Sequence, residues 1–167
     1  DGQTLDCWCT QRNANRALRL KLFAQLCEVI AAAHRQLIVH RDIKPSNVLV
    51  DHEGNVKVLD FGIARLIDDD AANRTDALML TPGYGAPEQR RGDMPTPASD
   101  VFALGVLLRE LIAAQSPPCK PGDTWPPWPD DVPNELRWVF DRCCVEEAVE
   151  RYRDAAELLE DIENYRA

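Results

Sequence analysis

Two polar segments hold the side chains best suited to chemistry, and a short hydrophobic stretch separates them. The first is HRDIKPSN at 40–47, and the second is DFG at 60–62. Between them, 48–59 contains two β-type runs around a turn-forming DHEGN, which predicts a hairpin. Because a hairpin brings its two ends together, Asn47 and Asp60 should face each other across a few ångströms.

The side chains at these ends have the chemistry of a metal and phosphate site. The Asn47 amide oxygen and the Asp60 carboxylate are hard oxygen donors of the kind that Mg²⁺ accepts. On the same loop, Asp42 can accept a proton, and Lys44 can neutralise charge on a transferring phosphoryl group. Each residue taken singly could be an ordinary turn or capping residue. Their joint occurrence favours a site.

These segments resemble the catalytic loop (40–47) and the metal-binding motif of eukaryotic-type protein kinases, and the APE-type triplet at 86–88 resembles the motif that closes the activation segment (60–88). Asp100 and Gly105 match the DxxxxG motif of that family's buried helix. The PEQ at 87–89 and the C-terminal RYRDAAELLEDIENYR at 151–166 resemble the bacterial serine/threonine branch of that family. The resemblance implies a mainly α fold with a small β-hairpin, namely a protein-kinase-like C-terminal lobe. The N-terminal lobe, with its Gly-rich loop and strand lysine, is expected upstream of this segment.

The resemblance also implies a role for each residue of the site. Asp42 would orient and deprotonate the substrate hydroxyl. Lys44 would contact ATP and stabilise charge on its γ-phosphoryl group. Asn47 and Asp60 would hold Mg²⁺, and Leu49 would form the floor beneath the adenine. ATP and Mg²⁺ are therefore the expected cofactors.

The resemblance implies regulatory roles for two more residues and a structural role for a third. Arg41, beside Asp42, resembles the arginine of kinases that are switched on by activation-loop phosphorylation, since a guanidinium can grip a phosphothreonine. Thr75 is the candidate phosphosite. Thr81 is expected to be structural and to bond toward Asp42 and Lys44.

Four residues are expected to support the site without taking part in the reaction. Glu88 and Arg151 match a structural ion pair of the family. Asp100 is expected to anchor the catalytic-loop backbone through buried hydrogen bonds. His40 is expected to pack beneath that loop, although its imidazole could also be imagined as the base.

Hydrophobic spacing indicates the elements that position these residues. Helical patterns occupy 15–35, 134–144 and 154–166, and an all-round apolar pattern at 97–114 predicts a buried central helix. A β-type run occupies 37–39, and mostly irregular chain is predicted for 67–96. A Pro- and Trp-rich connector (116–133) stands where the family has a helix and an insertion, so that helix is expected to be shortened or missing. Packing is expected for Trp125, Trp128 and Trp138.

Composition narrows the possible partners and compartments. With 19 basic and 28 acidic residues the formal net charge is −9, which disfavours non-specific nucleic-acid binding. No uncharged apolar run approaches the roughly 20 residues that cross a bilayer. The six cysteines form no CxxC pair, so reduced structural thiols are expected. Together with the resemblance, these thiols imply a cytoplasmic location, either free or as the cytoplasmic domain of a membrane-anchored kinase.

The resemblance therefore implies ATP- and Mg²⁺-dependent phosphorylation of Ser/Thr hydroxyls on protein substrates by the parent protein. Because half of the nucleotide cleft is expected elsewhere, the 167-residue segment alone should have little activity. A pseudokinase or regulatory binding module is the alternative, since the strand lysine and Gly-rich loop are outside this sequence. A small-molecule phosphotransferase of kinase-like fold is a minor alternative, because such enzymes lack the KP after HRD and the APE-type closure.

Overall fold

The computed structural model describes residues 2–61, 81–120 and 123–167, which form a mainly helical body with a small antiparallel sheet. The fold class expected from the sequence is thereby confirmed. In this part of the chain the helices are α1 (Leu5–Gln11), α2 (Arg16–Arg35), α3 (Pro87–Arg91), α4 (Pro97–Ala113), α5 (Asn134–Cys143) and α6 (Ala155–Arg166), with 3₁₀ turns at Pro45–Asn47 and Ala148–Glu150. The strands are β1 (Gln3–Thr4), β2 (Val48–Val50) and β3 (Val56–Val58).

The apolar helix α4 lies at the centre of the core. Nearly every side chain from Ala98 to Ile112 is buried, as expected for a helix that is hydrophobic all round. It packs against α2 and α5, and α2 in turn packs against α6. The approach to α5 is close, because a Cβ atom at Gly105 would lie 2.3 Å from the Cβ atom of Cys143. Glycine is therefore needed at this point of contact.

The hairpin predicted between the two polar segments is present. Strands β2 and β3 pair antiparallel, with Val48 opposite Val58. The carboxylate of Asp51 shapes the turn between them by accepting the backbone N–H groups of Glu53 and Asn55. These hydrogen bonds hold the Asp51 pKa down at about 2.

The sequence reasoning missed β1 and α1. Strand β1 adds to the free edge of β2, with Thr4 opposite Leu49, and it is too short to show a periodic pattern. Helix α1 carried a detectable signal, because its buried residues Leu5, Trp8 and Cys9 have helical spacing. The Trp8 indole donates to the Asp51 carbonyl and thereby ties α1 to the hairpin turn.

The strand predicted at 37–39 is wrong. Leu37 instead lies two residues beyond the end of α2 in a left-handed conformation, with φ of 61° and 93% of its surface exposed. Its N–H bonds to the His34 carbonyl, and the Ile38 N–H bonds to the Ala33 carbonyl, which is the hydrogen-bond pattern of a Schellman cap. The prediction of irregular chain over 67–96 also missed the short helix α3.

Of the three tryptophans predicted to pack, the two that belong to the connector do so. The rings of Trp125 and Trp128 stand edge-on to Phe140, with centroids 5.7 and 5.3 Å away. Trp138 faces outward from α5 with 66% of its surface exposed, so its predicted packing role is wrong. Helical phase explains the difference, because Trp138 and Phe140 are two residues apart and lie on different faces of α5.

Within the described ranges, no helix combines the length and the apolar composition needed to cross a lipid bilayer.

Candidate active site

Asp100, at the start of α4, holds the catalytic loop by its backbone. Its carboxylate accepts the N–H groups of His40 and Arg41, each at 2.8 Å, and contacts Nε2 of His34 at 2.9 Å. The Asp100 side chain is 1% exposed, so these bonds form away from water. They hold Arg41 at a φ of 74°, which is uncommon for a residue with a side chain. The loop geometry is therefore imposed by the core.

His40 is fully buried beneath the loop, and both of its ring nitrogens are engaged. Nδ1 accepts the Asp42 N–H at 3.2 Å, so Nε2 carries the proton and donates to the Leu59 carbonyl at 2.9 Å. The ring also lies against Phe61, with centroids 5.0 Å apart. This environment suits a residue that joins the loop to the end of β3.

The side chains of Asp42, Lys44 and Thr81 meet at one point. The ammonium of Lys44 lies 3.0 Å from one carboxylate oxygen of Asp42, and the Thr81 hydroxyl donates to the other at 3.2 Å. The same hydroxyl accepts from Lys44 at 2.8 Å and closes a triangle. The Asp42 side chain is 34% exposed, so a substrate can reach it. A base, a cation and an orienting hydroxyl thus lie together at the surface.

Asn47 contacts this triangle, and Asp60 lies at the same end of the hairpin as Asn47. The Asn47 amide donates to the carbonyl of Asp42 at 2.8 Å and to its carboxylate at 3.1 Å. The Leu59 N–H donates to the Asn47 carbonyl at 2.8 Å, which brings the neighbouring Asp60 to the same end of the hairpin. Asp60 is exposed and has a φ of 49°, a left-handed conformation that aspartate tolerates better than most residues.

The donor set suits a magnesium ion that relies on its substrate for further ligands. Because the Asn47 nitrogen points at Asp42, its amide oxygen faces elsewhere and is free of that contact. One amide oxygen and one carboxylate match the sparse protein coordination that Mg²⁺ accepts when phosphate and water complete its shell. Among the described residues there is no cluster of three or more His, Cys, Asp or Glu side chains that could form a full protein cage.

Of the remaining candidate residues, Leu49 lies in the described part of the chain and Thr75 does not. Leu49 is half-buried on β2, between the buried Val48 and Val50, and therefore points to the opposite face of the sheet. Thr75 lies outside the described residues, as do 62–80 of the predicted activation segment.

Glu88 and Arg151 form a buried ion pair next to α4. The Arg151 guanidinium donates two hydrogen bonds to the Glu88 carboxylate, at 2.8 and 3.0 Å. The Ser99 hydroxyl donates a third to the same carboxylate, at 2.7 Å. The side chains are 0% (Arg151) and 9% (Glu88) exposed. Burial alone would raise the pKa of the Glu88 carboxyl, but hydrogen bonds from Arg151 and Ser99 outweigh it and hold that pKa below its usual value.

Two supporting residues were not identified from the sequence. Gln89 donates to the Arg41 carbonyl at 3.0 Å and accepts the Ala86 N–H at 3.1 Å, so it joins α3 to the catalytic loop. His34 contacts Asp100 and also accepts the Ala155 N–H at 3.2 Å. Neither residue stands in a recognisable pattern, because each acts on a partner that is distant in sequence.

Residues 81–84, here called the acceptor segment, continue from Thr81 as a tight turn. The Tyr84 N–H bonds back to the Thr81 carbonyl at 3.2 Å. The Tyr84 hydroxyl donates to the carboxylate of Glu110 on α4. Burial raises the pKa of both side chains, which keeps the phenol protonated as a donor.

Comparison with known proteins gives a consistent result. The family model described as protein kinase domain matches residues 2–159. Serine/threonine-protein kinase PknA of Mycobacterium tuberculosis is 33% identical over an alignment 169 residues long, gaps included, which covers 94% of this chain and 39% of that protein. Serine/threonine-protein kinase PrkC of Bacillus subtilis is 45% identical over 98 residues, covering 59% of this chain and 15% of that protein.

A third relative, serine/threonine-protein kinase PkaA of Streptomyces coelicolor, is 39% identical over 135 residues, covering 73% of this chain and 25% of that protein. The chain thus spans well under half of the length of each of these curated relatives. All three are bacterial proteins with the same printed description. Since the family model matches nearly the whole chain and PknA aligns over 94% of it, the chain belongs to the protein kinase family, as a bacterial-type serine/threonine member.

Proposed function

We propose that the full-length protein containing this chain transfers the γ-phosphoryl group of ATP to serine and threonine hydroxyls of protein substrates. The observation that carries the proposal is the set of contacts at Asp42, whose partly exposed carboxylate is held by Lys44, Thr81 and Asn47. Membership of the protein kinase family gives that arrangement its reaction class. Protein substrates and ATP are the proposed partners.

In the proposed reaction, the substrate hydroxyl hydrogen-bonds to Asp42 and passes its proton to that carboxylate as the oxygen attacks phosphorus. The bond from the γ-phosphorus to its bridging oxygen breaks, and ADP leaves. Lys44 is already 3.0 Å from Asp42, so its positive charge lies where the transferring group gains negative charge. Positioning and charge neutralisation supply most of the acceleration in such reactions.

Asn47 and Asp60 are the proposed ligands of Mg²⁺, and Leu49 is the proposed contact for the adenine. When bound, Mg²⁺ would neutralise phosphate charge and orient the oxygens of ATP. This division of work explains how a protein with a net charge of −9 could use a polyanion without a basic surface.

Regulation is proposed to act through the catalytic loop. Arg41 lies next to Asp42 on a backbone anchored by Asp100. A phosphate bound by the Arg41 guanidinium would therefore contact the catalytic loop beside Asp42. Thr75 is the proposed carrier of that phosphate. Because ATP is a cytoplasmic cosubstrate, the proposal places this domain in the cytoplasm, either free or as part of a membrane-anchored kinase.

The isolated 167 residues are expected to transfer phosphate at a small fraction of the full-length protein's rate. Their sequence contains no G-x-G-x-x-G segment to cover the phosphates of ATP. Radiolabelled ATP with a serine-containing peptide library measures both proteins side by side. Absence of transfer by the full-length protein would overturn the proposed function, and equal rates would overturn the expected inactivity of the segment.

Replacing Thr81 by valine is expected to lower kcat/KM of the full-length protein by about ten- to a hundredfold, because it removes hydrogen bonds to two charged groups. Valine keeps the shape of threonine, so the fold should be retained. Thr81→Ser keeps the hydroxyl and should restore most of the activity. Steady-state kinetics on the three proteins tests this, and equal activity of the valine and serine variants would contradict it.

A further inference from the structure

Arg109, near the end of α4, is a buried cation held mainly by aromatic rings. Only 4% of its surface is exposed. Its guanidinium carbon lies 3.9 Å from the ring centroid of Trp128, 4.5 Å from that of Trp125 and 4.9 Å from that of Phe140. We call these three rings the aromatic box. Guanidinium groups are attracted to the faces of such rings, most strongly where water is excluded.

Hydrogen bonds around the aromatic box tie the connector to α4. Arg109 donates to the Pro126 carbonyl at 2.5 Å and to the Gln115 side chain at 3.1 Å. Gln115 in turn donates to the Pro127 carbonyl at 2.7 Å. The second half of the connector is therefore fixed by side chains, although it contains no helix in its described residues.

The first half of the connector lies directly behind the acceptor segment. A Cβ atom added to Gly83 would lie 2.8 Å from the ring of Pro117 and 3.1 Å from the Pro118 carbonyl, so the two backbones are in close contact. Pro117 is buried although it belongs to a loop. The Cys119 sulfur also approaches the Pro82 carbonyl at 3.9 Å. Prolines limit how far this part of the connector can bend away.

The acceptor segment then leads to the reacting groups. Gly83 is two residues from Thr81, whose hydroxyl bonds to Asp42 and Lys44. A shift of Pro117 would thus be transmitted through a very short piece of backbone to the residues that receive the substrate. The other side of this segment is held independently by the bond between Tyr84 and Glu110.

We propose that Arg109 and the aromatic box are positioning residues, which hold the connector behind Gly83 and so fix the acceptor segment for a peptide substrate. The hydrogen bonds and ring contacts of Arg109 given above are with the connector, Gln115 and α5, and not with Asp42 or Lys44. The inference rests on the proposed function for its catalytic consequence, but its structural consequence can be measured without any activity.

Trp128→Ala in the full-length protein tests the proposal by kinetics and by hydrogen exchange. The peptide substrate is one from the library that the wild-type protein phosphorylates. For this peptide the variant is expected to lose about tenfold in kcat/KM, mainly through a higher peptide KM, with the ATP KM unchanged. The Tyr84 amide, which bonds to the Thr81 carbonyl, should exchange at least several times faster. Amides in the middle of α4 should keep their protection, which excludes general loss of folding.

Three further variants make the test specific. Trp138→Ala removes an exposed tryptophan of α5 and should leave both readouts unchanged. Trp128→Phe keeps an aromatic face and should restore the peptide KM. Pro117→Ala should raise the peptide KM, and combining it with Trp128→Ala should add little, because both changes act through the same contact.

The outcomes separate this proposal from the proposed function. Unchanged exchange at Tyr84 in Trp128→Ala would overturn the positioning role whether or not the protein is active. A fall in kcat with an unchanged peptide KM would also overturn it. Absence of any transfer by the wild-type protein would overturn the proposed function, and with it the catalytic consequence, while the exchange result would still decide whether the connector holds the acceptor segment.

Discussion

Asp42→Asn in the full-length protein is expected to lower the rate of phosphoryl transfer by about 10²–10⁴-fold, the range in which general-base assistance contributes. The amide fits the same space and can still accept a bond from Thr81, but it cannot take up the proton of the substrate hydroxyl. Single-turnover transfer from radiolabelled ATP measures the chemical step directly. ATP affinity should change little, since Asp42 is proposed to act on the acceptor.

The matched control for this change is Asp130→Asn, which neutralises an exposed aspartate of the connector. It alters the net charge by the same amount and should leave the transfer rate unchanged. Retention of more than a third of the wild-type rate by Asp42→Asn would contradict the assignment of Asp42 as the base. Loss of folding can be recognised separately by thermal denaturation of both variants.

Much of the site could be predicted because short motifs encode it locally. Asp42, Lys44 and Asn47 lie within six consecutive residues, and the hairpin that follows returns the chain to Asp60. Hydrophobic spacing was equally informative for the long helices, since an apolar helix such as α4 has few alternatives to burial. Period and motif are properties of neighbouring residues, so a single sequence displays them.

The features that escaped prediction depend on partners far along the chain. Leu37 belongs to a β-type run, yet helix capping by α2 decided its conformation. Nothing in the local sequence separates Trp128 from Trp138. Of these two, Trp128 contacts Arg109, whereas Trp138 lies on an exposed face of α5. Gln89 gave no signal at all. Tertiary contacts of this kind override local preference, and no spacing rule describes them.

The ion pair between Glu88 and Arg151 carries the largest expected effect on stability. Arg151 makes two bonds to the carboxylate and three more to the carbonyls of Ala98, Val145 and Glu146. It therefore joins α3, the start of α4 and the turn after α5. Removing one partner of a buried pair leaves the other charged and unsolvated, which costs far more than the intact pair contributes.

Arg151→Met is accordingly expected to lower the free energy of unfolding by about 3–5 kcal/mol, measured by denaturant titration at pH 7. The matched control is Arg153→Met, because Arg153 pairs with Glu157 at an exposed site with 86% of its side chain accessible. That exposed pair should contribute no more than about 1 kcal/mol. Equal effects of the two variants would contradict a special role for the buried pair.

The pH dependence supplies an independent check with a defined sign. The pKa of Glu88 is lower in the folded protein than its usual value, against the opposing effect of burial, because Arg151 and Ser99 donate to its charged form. Its contribution to stability is therefore complete above the unfolded pKa of about 4.3 and is lost as the pH falls through the lower folded value.

In Arg151→Met the main donor is missing, so the Glu88 pKa should rise and the carboxyl should become protonated at higher pH. The stability difference between wild type and variant is thus expected to be largest near neutral pH. It should shrink as the pH falls from the raised Glu88 pKa of the variant to the lowered Glu88 pKa of the wild type, which denaturant titrations from pH 7 to pH 3 would show. A difference that stays constant over that range would mean that the lost stability comes from the carbonyl contacts of Arg151 rather than from its charge pair with Glu88.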